Sequence, residues 1–230
     1  MPQRQASPSP EFWSDFDGTA VELVSKFDPR NWLKYPLPSM VGYTAFLRGV
    51  QRHDVEIAGV ISRRPDIPIR RFVTERSILK LGLDAYLKPD HIVLTGSEER
   101  KGGYIAERAL HRPVGLIDDK PHRVGPTILA GLSSGPGSPN FAGQQVRVAL
   151  GVVNHPKSKA YTEQFVEQVR DESGVTGISV ATRHRDGVIN LHGPDHSFKL
   201  SIVQLATYGE APGSNFAQYL IDQSTQIIQQ

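Results

Sequence analysis

The sequence contains no cysteine, which excludes disulfides, thiol nucleophiles and thiolate metal sites together. That absence fits a reducing compartment. Long hydrophobic runs are also missing, and none approaches the length needed to span a bilayer. The opening "MPQRQASPSP" has no apolar segment, so it does not read as a secretory signal. Rich in Pro and Ser, it reads as a short disordered lead over 1–10. An excess of one charge is lacking too: 26 Lys and Arg face 24 Asp and Glu, a formal net charge of +2. So even a balance does not point to nucleic acid or a membrane surface as a partner. The expectation is a soluble, cytoplasmic protein.

What is present suits a packed globule. Of 230 residues, 38% are hydrophobic and 22% charged, enough for one large domain or one domain with a small appendage. Periodicity gives strands and helices in alternation. "EFWSDF" is a short strand. Tyr43, Phe46, Leu47 and Val50 follow i, i+3, i+4, i+7 spacing and predict a helix. "VEIAGVIS" (55–62) is a buried strand, followed by a helix on Ile69, Phe72, Val73 and Leu79 that stops near Gly82. Strands over 91–96 and 113–118 flank the helix "KGGYIAERAL", which Gly102 and Gly103 weaken at its start. A helix on Val124, Ile128, Leu129 and Leu132, the loop "SSGPGSPNFAG" and a strand over 145–153 complete this part.

Such alternation implies βαβ units and a mostly parallel sheet. From about Asn154 the pattern changes. Tyr161, Phe165, Val166 and Val169 form a helical stripe, "GISVATRHRDGVINLH" reads as a strand pair turning at Asp186 and Gly187, and "FKLSIVQLATY" reads as a strand. Phe216, Tyr219 and Leu220 begin a terminal helix. The expected organisation is a Rossmann-like core over 11–154 and an α+β extension over 155–230, packed on the core or on a second subunit of a homodimer.

In parallel sheets, ligands bind at the carboxyl ends of the strands. The polar residues just past those ends are Asp15 and Asp17, Ser62, the stretch 97–101, and Asp118 with Asp119. Two aspartates one residue apart repel, and the arrangement costs free energy unless a cation or a proton offsets one of them.

"DFDGT" at 15–19 resembles the first motif, DxDGT, of the haloacid-dehalogenase-like (HAD) phosphohydrolase superfamily. Ser62, Lys101 and Asp118-Asp119 follow in the order of that superfamily's remaining motifs, over roughly two-thirds of the chain. The resemblance implies an Mg²⁺-dependent phosphomonoester hydrolase acting on a small phosphorylated substrate. It implies Asp15 as nucleophile, forming an aspartyl-phosphate, and Asp17 as general acid and base. Mg²⁺ would be held by Asp15, the backbone carbonyl of Asp17, and Asp118. Asp119 would anchor Lys101 or a metal-bound water. Ser62 and Lys101 would hold the phosphoryl oxygens, with Gly18, Thr19, Arg63 and Arg64 also on the substrate side. An acid at 17 separates phosphatases and phosphotransferases from the dehalogenases. "LIDDKP" is similar to the deoxyribonucleotidase branch, so a nucleotide substrate is one expectation.

Other readings stand beside these. Asp-Gly is a common turn pair. Lys80 or Lys88 could take the lysine's role. Asp118 and Asp119 could serve as a helix N-cap. Arg63, Arg64, Arg70 and Arg71 could form a solvated face. His184, His192 and His196 with Asp186 and Asp195 match no zinc spacing. The stretch 20–38 is too short for a helical-bundle cap, so an open site with a minimal cap or none is expected. The extension could cover the site, continue the sheet or dimerise. The alternative to an enzyme is a non-catalytic module of the same fold that binds a partner through its extension.

Overall fold

The computed structural model describes residues 9–22, 39–87, 91–134, 145–153, 155–181 and 187–225. Outside them lie most of the N-terminal lead, the part of the cap-sized stretch over 23–38, Lys88, the loop over 135–144, Asn154, and the turn with His184 and Asp186.

The protein is α/β, with helices on both faces of one eight-stranded sheet that is compatible with a Rossmann-like fold. Strands β1 (Glu11–Ser14), β2 (Glu56–Ser62), β3 (Ile92–Leu94), β4 (Val114–Ile117) and β5 (Val146–Val153) are joined by β6 (Ser179–Val180), β7 (Val188–His192) and β8 (Phe198–Leu205). The order across the sheet is β3-β2-β1-β4-β5-β8-β7-β6. Pairing is parallel from β3 to β8, and antiparallel between β8 and β7 and between β7 and β6. The residues after 155 therefore continue the same sheet, and β8 adds one more parallel strand whose carboxyl end faces the same edge as β1 to β5.

The central strands are buried on both faces, as continuous apolar runs between two helical layers must be. In β1, Phe12 joins the core under α1 (Tyr43–Gln51), α2 (Pro68–Lys80) and α6 (Glu210–Thr225), while its neighbour Trp13 joins the core under α3 (Glu98–Ala109), α4 (Pro121–Ser134) and α5 (Pro156–Thr176). The period of two sends successive side chains to opposite layers. Helix α6 crosses α1 closely, because a Cβ on Gly213 would stand 2.1 Å from the Phe46 carbonyl oxygen. The aromatic ring of Phe216 then reaches Phe12 and Phe46 at 6.1 and 6.3 Å between centroids.

One apolar stripe is not where the periodicity puts it. Helix α2 forms, but it buries Thr74, Ser77 and Ile78, and leaves Ile69, Phe72 and Leu79 61%, 51% and 45% exposed. The helix packs beside the edge strand β3, where the sheet ends and only a narrow face of the helix has anything to cover it.

The two glycines at the start of α3 have different reasons to be there. Ser97 caps this helix, its hydroxyl accepting from the Arg100 N–H at 3.2 Å, with Glu98 and Glu99 in the first turn. A Cβ on Gly102 would meet the Thr127 hydroxyl of α4 at 2.1 Å, whereas Gly103 faces open space. Gly102→Ala is expected to push α3 off α4 and lower stability by about 1–3 kcal/mol. Gly103→Ala should raise stability by up to about 1 kcal/mol through helix propensity. Equilibrium urea unfolding of both proteins checks the pair; equal midpoints would show that the α3–α4 contact is not close.

Candidate active site

Every parallel strand ends at one edge, and the chemistry-bearing residues follow those ends. Asp15 leaves β1 with its N–H donating to the Ile117 carbonyl at 2.9 Å. Asp118 leaves β4 with its N–H donating to the Gly151 carbonyl at 3.1 Å. These bonds carry the ladder one residue past the strands and fix the two aspartates side by side. Ser62 ends β2 fully buried, and its carbonyl accepts from the N–H and the hydroxyl of Thr95 at 2.9 and 3.1 Å.

Lys101 comes from the first turn of α3 and is 1% exposed. Its Nζ donates to Asp15 Oδ1 at 2.6 Å and to Asp118 Oδ2 at 2.5 Å. Of the lysines considered, Lys80 is exposed at the end of α2, so among the described candidates Lys101 alone reaches the aspartates. Thr19 closes the other side of Asp15, its hydroxyl 3.4 Å from Oδ2. Gly18 takes a positive φ of 87° in the turn between them, and its N–H donates to the Val21 carbonyl at 2.8 Å.

Asp15, Asp118 and Asp119 each offer an oxygen, and these oxygens lie within 4.8 Å of one another. Burial pushes Asp15 up to about 8; Lys101 opposes the shift and the Asp118 charge adds to it. Burial works against the Lys101 ammonium, but Asp118 and Asp15 outweigh it and raise its pKa. The two directions agree: the lysine stays charged, and one ammonium cannot balance two buried carboxylates. Asp119 is also raised, by burial and then by Asp118, and it pairs with Lys120 at 2.7 and 2.8 Å rather than with Lys101. Fully ionised, the three carboxylates would face two ammonium groups and stand one charge short of balance, and without a cation the proton held by Asp15 makes up that charge. A cluster of hard oxygen donors in which a cation can replace that proton could hold a metal ion.

Asp118 also works as a turn residue, its Oδ1 accepting from the Lys120 N–H at 2.7 Å just before α4. The turn and the acidic-cluster readings hold together.

The Asp17 carboxylate is not in that cluster. Arg64 grips it from two nitrogens at 2.7 and 2.6 Å, with its guanidinium 4.7 Å over the Phe16 ring and a further bond to Thr74 at 3.0 Å. Arg63 turns to Glu98 on α3 at 3.5 Å, and Arg71 to Asp66. Of Arg63, Arg64 and Arg71, Arg64 is the one that pairs with an aspartate of the motif. His192 ends β7 and His196 follows it, at the other end of the molecule, with ring centroids 5.1 Å apart.

Two supports were not read from the sequence. Tyr43, buried on α1, bonds Ser14 directly below Asp15, and burial raises its hydroxyl. Tyr208 follows β8 and packs edge-on to Tyr43 and Phe46 at 5.4 and 5.8 Å. Its hydroxyl, raised by burial and then by Tyr43 and Asp119, lies beside Thr19. Its position three residues past a strand end, as Asp17 stands to β1, is the kind of signal that marks the aspartates, but it applies only once β8 is known to run parallel to β5.

No known family model matches the chain, and no curated protein matches it.

Proposed function

We propose that the chain is an Mg²⁺-dependent phosphomonoester hydrolase of the HAD type, working through an aspartyl-phosphate. The observation that carries this reading is Lys101, whose ammonium joins Asp15 to Asp118 in a buried cluster with Asp119 at the carboxyl edge of the sheet. A lysine there can compensate the carboxylates and receive phosphoryl oxygens. Acidic ligands from the ends of two neighbouring strands suit a hard cation with oxygen ligands, so Asp15, Asp118 and Asp119 would hold Mg²⁺. When bound, that ion neutralises the charge of the incoming phosphoryl dianion.

Asp15 Oδ attacks phosphorus as the bond to the leaving oxygen breaks, and Asp17 gives that oxygen its proton. Water then attacks phosphorus, gives a proton to Asp17 and releases Asp15 with inorganic phosphate. Ser62 and Lys101 bind the equatorial oxygens. Arg64 is part of the reading because a phosphoryl group offers it the same bidentate geometry as Asp17 does, which would free Asp17 for proton transfer. The substrate class is a small phosphorylated metabolite, a nucleotide among them.

Hydrolysis of p-nitrophenyl phosphate with Mg²⁺ and with EDTA tests the reading. Turnover is expected with the metal and none in EDTA. Equal turnover in both would overturn the mechanism. A folded protein that leaves the ester intact in both would favour the non-catalytic module.

A further inference from the structure

A second cluster of cations lies on the opposite edge of the sheet. Arg147 on β5, Lys199 on β8 and His192 on β7 stand in one register row, since Arg147 pairs with Lys199 and Lys199 with His192. Register partners share a face, and here it is the α6 face: Arg147 Nη1 donates to the Gln223 carbonyl and Lys199 Nζ to Gln223 Oε1 at 3.0 Å. Arg147 sits four residues before Gly151, the partner of Ile117, or roughly 13 Å down the strand from the aspartates.

Part of this row has a structural role. Arg147 and Lys199 meet the carboxyl end of α6, where cations are favoured. That role uses one nitrogen of each. The Nε of Arg147 and the Nδ1 of His192 are buried and make no hydrogen bond among the described residues. Unpaired buried donors and acceptors are costly. Neither Arg147 nor Lys199 pairs with a carboxylate among the described residues. Burial pulls both below their ordinary values, and Arg147 adds repulsion on Lys199. His192 is lowered by burial and then by His196 and Lys199. The next row adds neutral polar groups, with the Ser201 hydroxyl donating to Asn190 Oδ1 at 2.8 Å. A row of two cations and an imidazole, with open hydrogen-bonding positions and no acid among the described residues, is complementary to an oxyanion.

We infer that Arg147, Lys199 and His192 form an anion site for a phosphate-class oxyanion, free or carried on a small molecule, separate from the aspartate cluster. Arg147 supplies planar donors, Lys199 a point charge and His192 a ring nitrogen.

The test follows the His192 imidazole by NMR in the full-length protein, its resonance assigned by loss in His192→Gln. EDTA is present so that no ester turns over. Inorganic phosphate is expected to shift that resonance saturably, beyond sodium chloride of equal ionic strength, by about 20 mM. Glycerol phosphate gives the same shift if the site reads a carried phosphoryl group, and none if it takes the free ion alone; phosphate binding supports the site in either case. Lys199→Met is expected to weaken half-saturation about tenfold or more. Arg147→Lys, which keeps the charge and the fold, weakens it by loss of the planar donors. Asp15→Asn leaves the shift intact, so failure here and failure of the hydrolase reading are distinguishable. A His192 resonance that phosphate moves no more than chloride does would overturn the inference, as would unchanged binding in a folded Lys199→Met protein.

Discussion

Asp15→Asn is expected to lose p-nitrophenyl phosphate turnover by a factor on the order of 10⁴ or more, and to retain no phosphoryl label after acid quenching. The amide has the shape of the carboxylate but not its nucleophilicity, and Asp118 remains to pair with Lys101 at 2.5 Å. The variant should therefore fold at least as well as the parent, because one of the two crowded charges on Lys101 is gone. Asp17→Asn should behave differently. It keeps the nucleophile, so label accumulates, and it costs about 10²–10⁴-fold in rate through lost proton transfer. Its ion pair with Arg64 is partly exposed, so its removal should cost little stability. The two variants together separate nucleophile from acid. An Asp15→Asn protein that turns over at near the parent rate would sink the assignment.

The site was legible where local sequence carries both position and chemistry. Asp15, Ser62, Lys101 and Asp118 each follow an apolar strand segment, and parallel strands must deliver their carboxyl ends to one edge. The parallel sheet itself could be read from buried strands alternating with amphipathic helices. What escaped was non-local. No period in the sequence says that β8 inserts between β5 and β7, and that insertion is what brings Tyr208 beside Thr19. The exposed stripe of α2 escaped because periodicity reports that a helix has an apolar face, not that a sheet edge leaves it uncovered. Gly102 reads as a weak helix former, yet its reason is the Thr127 side chain on another helix. Arg64 could be read as a basic residue near Ser62, but its grip on Asp17 joins two loops 47 residues apart. The strands limit where such residues stand; the partners they choose depend on how the layers close.

In EDTA the protein should lose thermal stability as pH rises from about 5 to 8. The sign follows from the raised acid: burial pushes Asp15 from 3.8 in its ordinary state to about 8. Between those values the folded protein holds a proton that the unfolded chain has released, so stability falls with pH and levels off above the folded value. Asp119, also raised by burial, contributes with the same sign. Mg²⁺ should flatten this dependence, because a divalent cation replaces the proton as the counter-charge. Lys101→Met sharpens the contrast. It leaves Asp15 and Asp118 buried without the ammonium that bonds both, and a broken buried pair costs about 3–5 kcal/mol. Its melting temperature at neutral pH in EDTA should drop sharply and recover in part on acidification or on addition of Mg²⁺. Differential scanning calorimetry across pH, with and without the metal, reads all four conditions. A Lys101→Met protein as stable as the parent, with a flat pH profile and no response to Mg²⁺, would mean that the aspartates are not held together as a charged cluster, and the cation site would fall with it.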